Sequence, residues 1–152
     1  MKPLTDLIGY NELRALSWKE PYGSLMLQGK IETRTWYTDY RGWVLMCASK
    51  VPYPREVVYG ISGEQMHRIN ATFGFDDQYK GAGYCGYAFA VGFLAECRRM
   101  KESDEKAAYV TYYPDLFSHI YEKVQKIEPF PWRGSQGWRI VKPETINQII
   151  LL

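Results

Sequence analysis

The chain of 152 residues has only two histidines, His67 and His119, and three cysteines, Cys47, Cys85 and Cys97. Neither histidine has a carboxylate or a cysteine at ligand spacing, so neither reads as a metal ligand. A histidine-based hydrolase needs an imidazole oriented by a carboxylate and facing a nucleophile, and a chain this poor in histidine gives no such pattern. The cysteines are odd in number, follow no metal-binding spacing and sit among apolar residues, which reads as buried free thiols. No metal and no cofactor is expected. Excess charge is also lacking. At a net +2 no global field draws the protein onto a polyanion, so nucleic-acid binding would have to come from a local patch. No apolar run approaches the roughly 20 residues of a membrane span. The opening MKPLTDLIGYNELRAL carries acids and has no continuous apolar core, unlike a secretory signal. The expectation is a soluble protein of the reducing cytoplasm, without a membrane partner and taken as a monomer.

What the chain does have is aromatic residues, 16% of the total against 24% charged. That is globular rather than disordered composition. Its length suits one domain over residues 1–152 with one substantial core, and no repeat or low-complexity linker interrupts it.

Leu13–Trp18 alternates apolar and polar residues as a strand does. Pro21 suits a first helical position and Gly29 a C-terminal cap, which brackets a helix over PYGSLMLQ. Ile31–Trp36 is a second alternating strand, YTDYRG a turn, and Trp43–Ser49 a mostly buried strand. Two prolines mark VPYPREVVYG as a loop. Ser62 with Gln65 forms a capping box and Gly74 a stop, giving a helical insertion around 62–74. Tyr84–Cys97 is too apolar and aromatic for a loop, and its glycines suit a bent, buried barrel strand. MKESDEKAA reads as a mobile, charged, solvated connection around 100–108. His119–Ile127 alternates again, EPFPWRGSQG is an aromatic loop, and Trp138–Val141 reads as the last strand. The expected fold is α+β: a small barrel of mostly antiparallel strands with two or three short helices.

Gly81, Gly83 and Gly86 spell the dinucleotide pattern G-x-G-x-x-G. That pattern works only where a strand precedes it and a helix follows, so that a pyrophosphate meets a helix N-terminus. Here a strand follows, and backbone freedom is the better account of the glycines.

IETRTW is a stronger signal. Alternation places Lys30, Glu32, Arg34 and Trp36 on one face, with Ile31, Thr33 and Thr35 on the other. One account is a solvated face laced by ion pairs, each contributing only about 0–1 kcal/mol. Trp36 argues against it, because an exposed indole normally has a partner or a cover. Arginine beside tryptophan makes a stacking and hydrogen-bonding platform suited to bases or phosphate.

Two segments also resemble a known family. EPYGSLMLQGK, IETRTW and YTDYRGWVLMCAS resemble the opening of the ASCH domain of the PUA-like superfamily. The matching elements are Pro21-Tyr22-Gly23-Ser24, Gly29-Lys30, Glu32-Thr33-Arg34-Thr35-Trp36, Arg41-Gly42 and Ala48-Ser49. Downstream, YEKVQKIEPFPWRGSQGWRIV is similar to the family's closing segment through Gly134, Gln136, Gly137 and Trp138. The resemblance covers about half the chain and implies a PUA-like β-barrel. In it, a cleft beside the first helix would bind RNA or a modified nucleotide. Lys30, Glu32, Arg34 and Trp36 would line that cleft, Arg41 would lie at its rim, Trp18, Lys19 and Tyr22 would flank it, and Gln136 would contribute from the closing loop. The Gly29-to-Glu32 turn is about two residues shorter than the family's.

Some small members of the family are acetylcytidine amidohydrolases, with a lysine, a threonine three residues later and a distant glutamate. Lys30 and Thr33 have that spacing. The carboxylate would be Glu32 or the more distant Glu96, and a ribonuclease activity is a further implication. A third alternative, from the residues themselves, is a protein-interaction adaptor presenting Tyr112, Tyr113, Phe130 and Trp132.

Overall fold

A computed structural model describes residues 1–53 and 83–152. The helix expected at 62–74, His67 and Gly81 lie outside the described residues. In chain order the elements are β1 (Lys2–Pro3), α1 (Thr5–Ile8), β2 (Leu13–Trp18), and α2 (Tyr22–Leu25), which runs into a 3-10 turn (Met26–Gln28). There follow β3 (Glu32–Arg34), β4 (Gly42–Ala48), β5 (Tyr87–Arg99), and a 3-10 turn (Glu102–Asp104) leading into α3 (Glu105–Ala108). The chain closes with β6 (Phe117–Pro131), β7 (Arg139–Ile140), α4 (Pro143–Ile146) and β8 (Ile150–Leu151).

These strands form one curled sheet, a half-barrel, in the order β1-β8-β6-β5-β4-β2-β7, with β3 added against β6. Among the described strands the pairings are antiparallel except for β2 with β4, which run parallel from Leu13↔Trp43 to Trp18↔Ala48. The curl has a local cause in β5. Its pairing with β6 shifts register at Ala88/Ala90, Val91/Phe93 and Leu94/Glu96, and each such bulge bends the strand and increases its twist.

β4 shows why its sequence is an unbroken apolar run. Trp43, Leu45 and Cys47 point into a core cluster with Leu13, Ala15, Val91 and Ile127. Val44, Met46 and Ala48 point the other way, into a second cluster with Leu16, Trp18, Met26, Phe89 and Leu94. A strand covered on both faces has no polar face to alternate with. Each such large side chain contributes roughly 1.5–3 kcal/mol by burial, and Leu45→Ala, at a site with no exposure, should cost about 2–5 kcal/mol.

Four expectations need correction. The 100–108 stretch is not a solvated connection: it holds a 3-10 turn and α3, with Met100, Asp104 and Ala108 buried. Arg98 clamps Asp104 from β5 through two hydrogen bonds, of 2.6 and 2.9 Å, so charges that read as surface form an internal brace. EPFPWRGSQG is a loop only from residue 132, because β6 continues through Pro131, paired with Tyr87. β3 is shorter than Ile31–Trp36. Finally, β7 is not the last strand: α4 and β8 follow it, and β8 joins β6 to β1.

Among the described residues no helix is long and apolar enough to cross a membrane. His119 is fully buried, with Nε2 donating to the Trp36 carbonyl at 3.0 Å. Burial pushes its pKa down, which keeps the ring neutral. Cys47 and Cys97 are buried and Cys85 half-buried, all as free thiols.

Candidate functional site

The parallel pairing of β2 with β4 needs a crossover, and α2, its 3-10 turn and β3 provide it. Gly29 ends the turn at φ 82°, in the left-handed region, where glycine carries no Cβ penalty. The Lys30 amide then donates back to the Leu25 carbonyl at 3.3 Å. The reversal sends the Lys30 side chain inward, beneath Tyr22, with its ammonium 5.1 Å from the ring centroid. Ile31 is held by its amide on the Ala107 carbonyl at the end of α3, and β3 pairs Glu32 with His119 and Arg34 with Phe117.

The crossover encloses a cleft of about 410 Å³, a size suited to a small organic ligand. It is bordered by Ser17, Trp18, Lys19, Tyr22, Lys30, Glu32, Thr33, Arg34, Ser49, Tyr53, Val110 and Leu116. At its base lies an ionic triad. Glu32 Oε1 accepts from Lys30 Nζ at 2.9 Å and from the Thr33 amide at 3.1 Å, while Oε2 meets Arg34 Nη2 at 2.9 Å. Lys30 is 4% exposed and Glu32 6%. Burial alone would raise the Glu32 pKa, but the Lys30 and Arg34 charges outweigh it and hold the carboxyl below its usual range. Burial lowers the Lys30 pKa, and Glu32 opposes that shift only in part. The asymmetry is physical: the carboxylate has two cations, whereas the ammonium shares one carboxylate with a guanidinium.

Arg34 also donates to the Ser17 carbonyl at 2.9 Å and lies over the Trp18 indole, 5.1 Å from its centroid. Its Nε and the Trp18 Nε1 are buried without a hydrogen-bond partner among the described residues. The rim is aromatic and cationic. Tyr22 and Tyr53 meet edge to face at 5.5 Å, and Lys19 reaches over Tyr53 at 5.3 Å. Burial, followed by the neighbouring Tyr53 and Glu32, pushes the Tyr22 hydroxyl up to about 12.

The structure thus brings together seven of the sequence-selected residues: Trp18, Lys19, Tyr22, Lys30, Glu32, Thr33 and Arg34. Trp36 is not on the cleft border. It lies past the end of β3, packed edge-on against His119 at 4.9 Å and Trp138 at 5.8 Å, which is the partner its indole required. Trp18 is 1% exposed, so it is floor rather than an open stacking face. Arg41 braces its own turn by donating to the carbonyls of Thr38 and Tyr40 and ties it to β5 through the Cys97 carbonyl. Gln136 borders a neighbouring groove. Glu96 is half exposed and pairs with Arg98 at 3.3 Å, outside the cleft border. Phe130 and Trp132 lie 6.1 Å apart, packed against the core, while Tyr113 is exposed.

Glu20 escaped the sequence reading. It is fully buried and accepts from the Ser24 amide at 2.7 Å, from the Ser24 hydroxyl, and from the Tyr84 amide at 3.1 Å. Burial raises its pKa, and these donors pull against that. A Cβ at Gly83 would collide with the same carboxylate, so the glycine there serves close approach. Glu20 therefore ties the start of α2, and with it Lys19 and Tyr22, to the chain entering β5. A carboxylate four residues before a helix serine was the available signal.

Among the described residues no three His, Cys, Asp or Glu side chains converge as a metal site requires. Compared with known proteins, the chain matches no family model and no curated protein.

Proposed function

We propose that the cleft binds a nucleotide unit, as a PUA-like module of ASCH type that recognises RNA or a modified nucleoside. The observation that carries this reading is the combination, in one pocket of nucleoside size, of paired tyrosine rings, a rim lysine and an internally neutralised carboxylate. Tyr22 and Tyr53 offer ring faces and edges to a base, and Lys19 offers charge to a phosphate. Glu32, fixed by Lys30 and Arg34, is an acceptor for an exocyclic amine. Lys30 and Arg34 are engaged with Glu32, so they orient the reader of the base more than they contact phosphate. Titration of the protein with nucleoside monophosphates, followed by amide resonances, should shift Lys19, Tyr22, Thr33 and Tyr53 together. Unperturbed resonances at millimolar ligand would overturn the proposal.

One observation favours a second, catalytic reading: a desolvated lysine within 2.9 Å of a carboxylate, as amide hydrolysis on an acetylated cytidine would use. Against it, the Lys30 ammonium donates to Glu32 and to the Ile31 carbonyl at 2.9 Å, and no hydrogen bond joins it to the Thr33 hydroxyl among the described residues. Release of cytidine and acetate from acetylcytidine by wild type, abolished in Lys30→Met, would establish it. No turnover by wild type would eliminate it.

A further inference from the structure

Ser17 and Ser49 border the cleft on one side and a second, larger depression of about 1060 Å³ on the other. Parallel pairing makes this shared wall: β2 and β4 finish at the same edge, with Ser17 opposite Cys47 and Trp18 opposite Ala48. The second depression is bordered by Lys50, Arg133, Trp132 and Gln136 together with the small residues Gly86, Gly134 and Ser135. Lys50, Arg133 and Gln136 are exposed. The Arg139 guanidinium covers Trp132 at 5.3 Å, and Arg139 Nη1 donates to the Arg133 carbonyl at 3.1 Å, which braces the loop that presents these groups. The 132–137 loop sits close on the wall: a Cβ at Gly134 would come within 2.6 Å of Ser17 Oγ.

Among the described residues bordering the two depressions, Lys30 and Arg34 pair with the one carboxylate, Glu32, and three further cations, Lys19, Lys50 and Arg133, face no carboxylate on either border. A chain whose net charge is only +2 therefore concentrates positive charge on one continuous track, interleaved with aromatic rings at Tyr22, Tyr53 and Trp132. Alternating cations and ring faces along a groove match a single-stranded nucleic acid, with charge following the backbone and rings following the bases.

We infer that the ligand is a single strand of RNA running from the cleft across the Ser17–Ser49 wall into the groove of Lys50, Arg133 and Trp132. One nucleotide occupies the cleft and its neighbours occupy the groove. This rests on the cleft reading above and deepens it from a nucleotide to a strand.

Fluorescence anisotropy with one mononucleotide and a series of single-stranded RNAs of increasing length tests it. Wild type should gain affinity with length beyond the mononucleotide. Lys50→Ala/Arg133→Ala, two exposed positions outside the cleft, should bind the mononucleotide as wild type does but lose most of the gain. Its salt slope should fall by about 1.4, for two phosphate contacts on a single strand. Trp132→Phe should retain binding and Trp132→Ala should lose a further five-fold or more, with melting temperature checked because Trp132 also packs on Phe130. Equal affinity for mononucleotide and long RNA, or an unchanged slope in the double variant, overturns the strand while leaving the cleft reading intact. Competition by a poly-glutamate peptide as strong as by RNA of equal charge also overturns it. Failure of every nucleotide and RNA to bind removes both.

Discussion

Among the described residues two carboxylates are buried against arginine, and they are built differently. Asp104 is closed on every side. Arg98 grips both of its oxygens, the Lys101 amide donates at 2.9 Å and the Ser118 hydroxyl at 2.9 Å. Its pKa is held well below the usual carboxylate range, first by Arg98 and then, against the effect of burial, by the Lys101 amide and Ser118. Glu32 is as buried, yet its two cations line an open cleft, and one of them keeps an unpartnered buried Nε. A fully satisfied buried charge fixes a fold, whereas a buried charge held at the edge of a cavity with donors left over is arranged for something outside the chain.

Glu32→Ala should break this contrast most severely. It leaves Lys30 and Arg34 facing each other without their anion, at a cost of about 3–5 kcal/mol, read as a fall in melting temperature together with loss of ligand. Asp104→Ala should cost about 1.5–3 kcal/mol, since Arg98 is a quarter exposed and can turn to water. Ligand affinity should be retained while the fold holds; a selective loss of affinity at unchanged stability would contradict the division. The Asp104 carboxyl also sets a pH signature. Because its folded pKa is depressed, its stabilisation is present above the ordinary carboxylate range and is lost as pH falls through the folded value. Asp104→Asn should therefore flatten the acid limb of a stability-versus-pH curve below about pH 4. Tyr53→Ala should leave melting nearly unchanged and cost about 1–3 kcal/mol in nucleotide binding, measured calorimetrically. Lys19→Ala should be smallest, no more than about fivefold in affinity, and should vanish at high salt.

The long strands that were legible left a trace of their burial in the sequence: β2 alternates, β4 is apolar throughout, and β5 is apolar from Tyr87 to Ala95. The Gly29 stop and the meeting of Lys30, Glu32 and Arg34 were legible for the same reason, since alternation and one turn residue suffice to place them. The remainder depended on tertiary partners. β1 and β8 have two residues each, too short for any period to show. The charges of 100–108 looked solvated because Arg98 and Ser118, which bury Asp104, lie on neighbouring strands. Trp36 was assigned to the cleft because alternation cannot reveal that β3 ends at Arg34. Glu20 and Tyr53 reach the site through contacts that periodicity does not encode.

The parallel pairing of β2 with β4 has a consequence for how the chain can be rebuilt. Had β2 and β4 been joined as a hairpin, Ser49 would lie at the far end of the sheet from Ser17, and cleft and groove would share no wall. The site is therefore a property of chain order as much as of composition. A circular permutant opened in the 36–41 turn would keep every side chain but free the crossover at one end. β3 would then be held by its pairing with β6, by the Ile31 amide on the Ala107 carbonyl of α3 and by Arg34 on the Ser17 carbonyl.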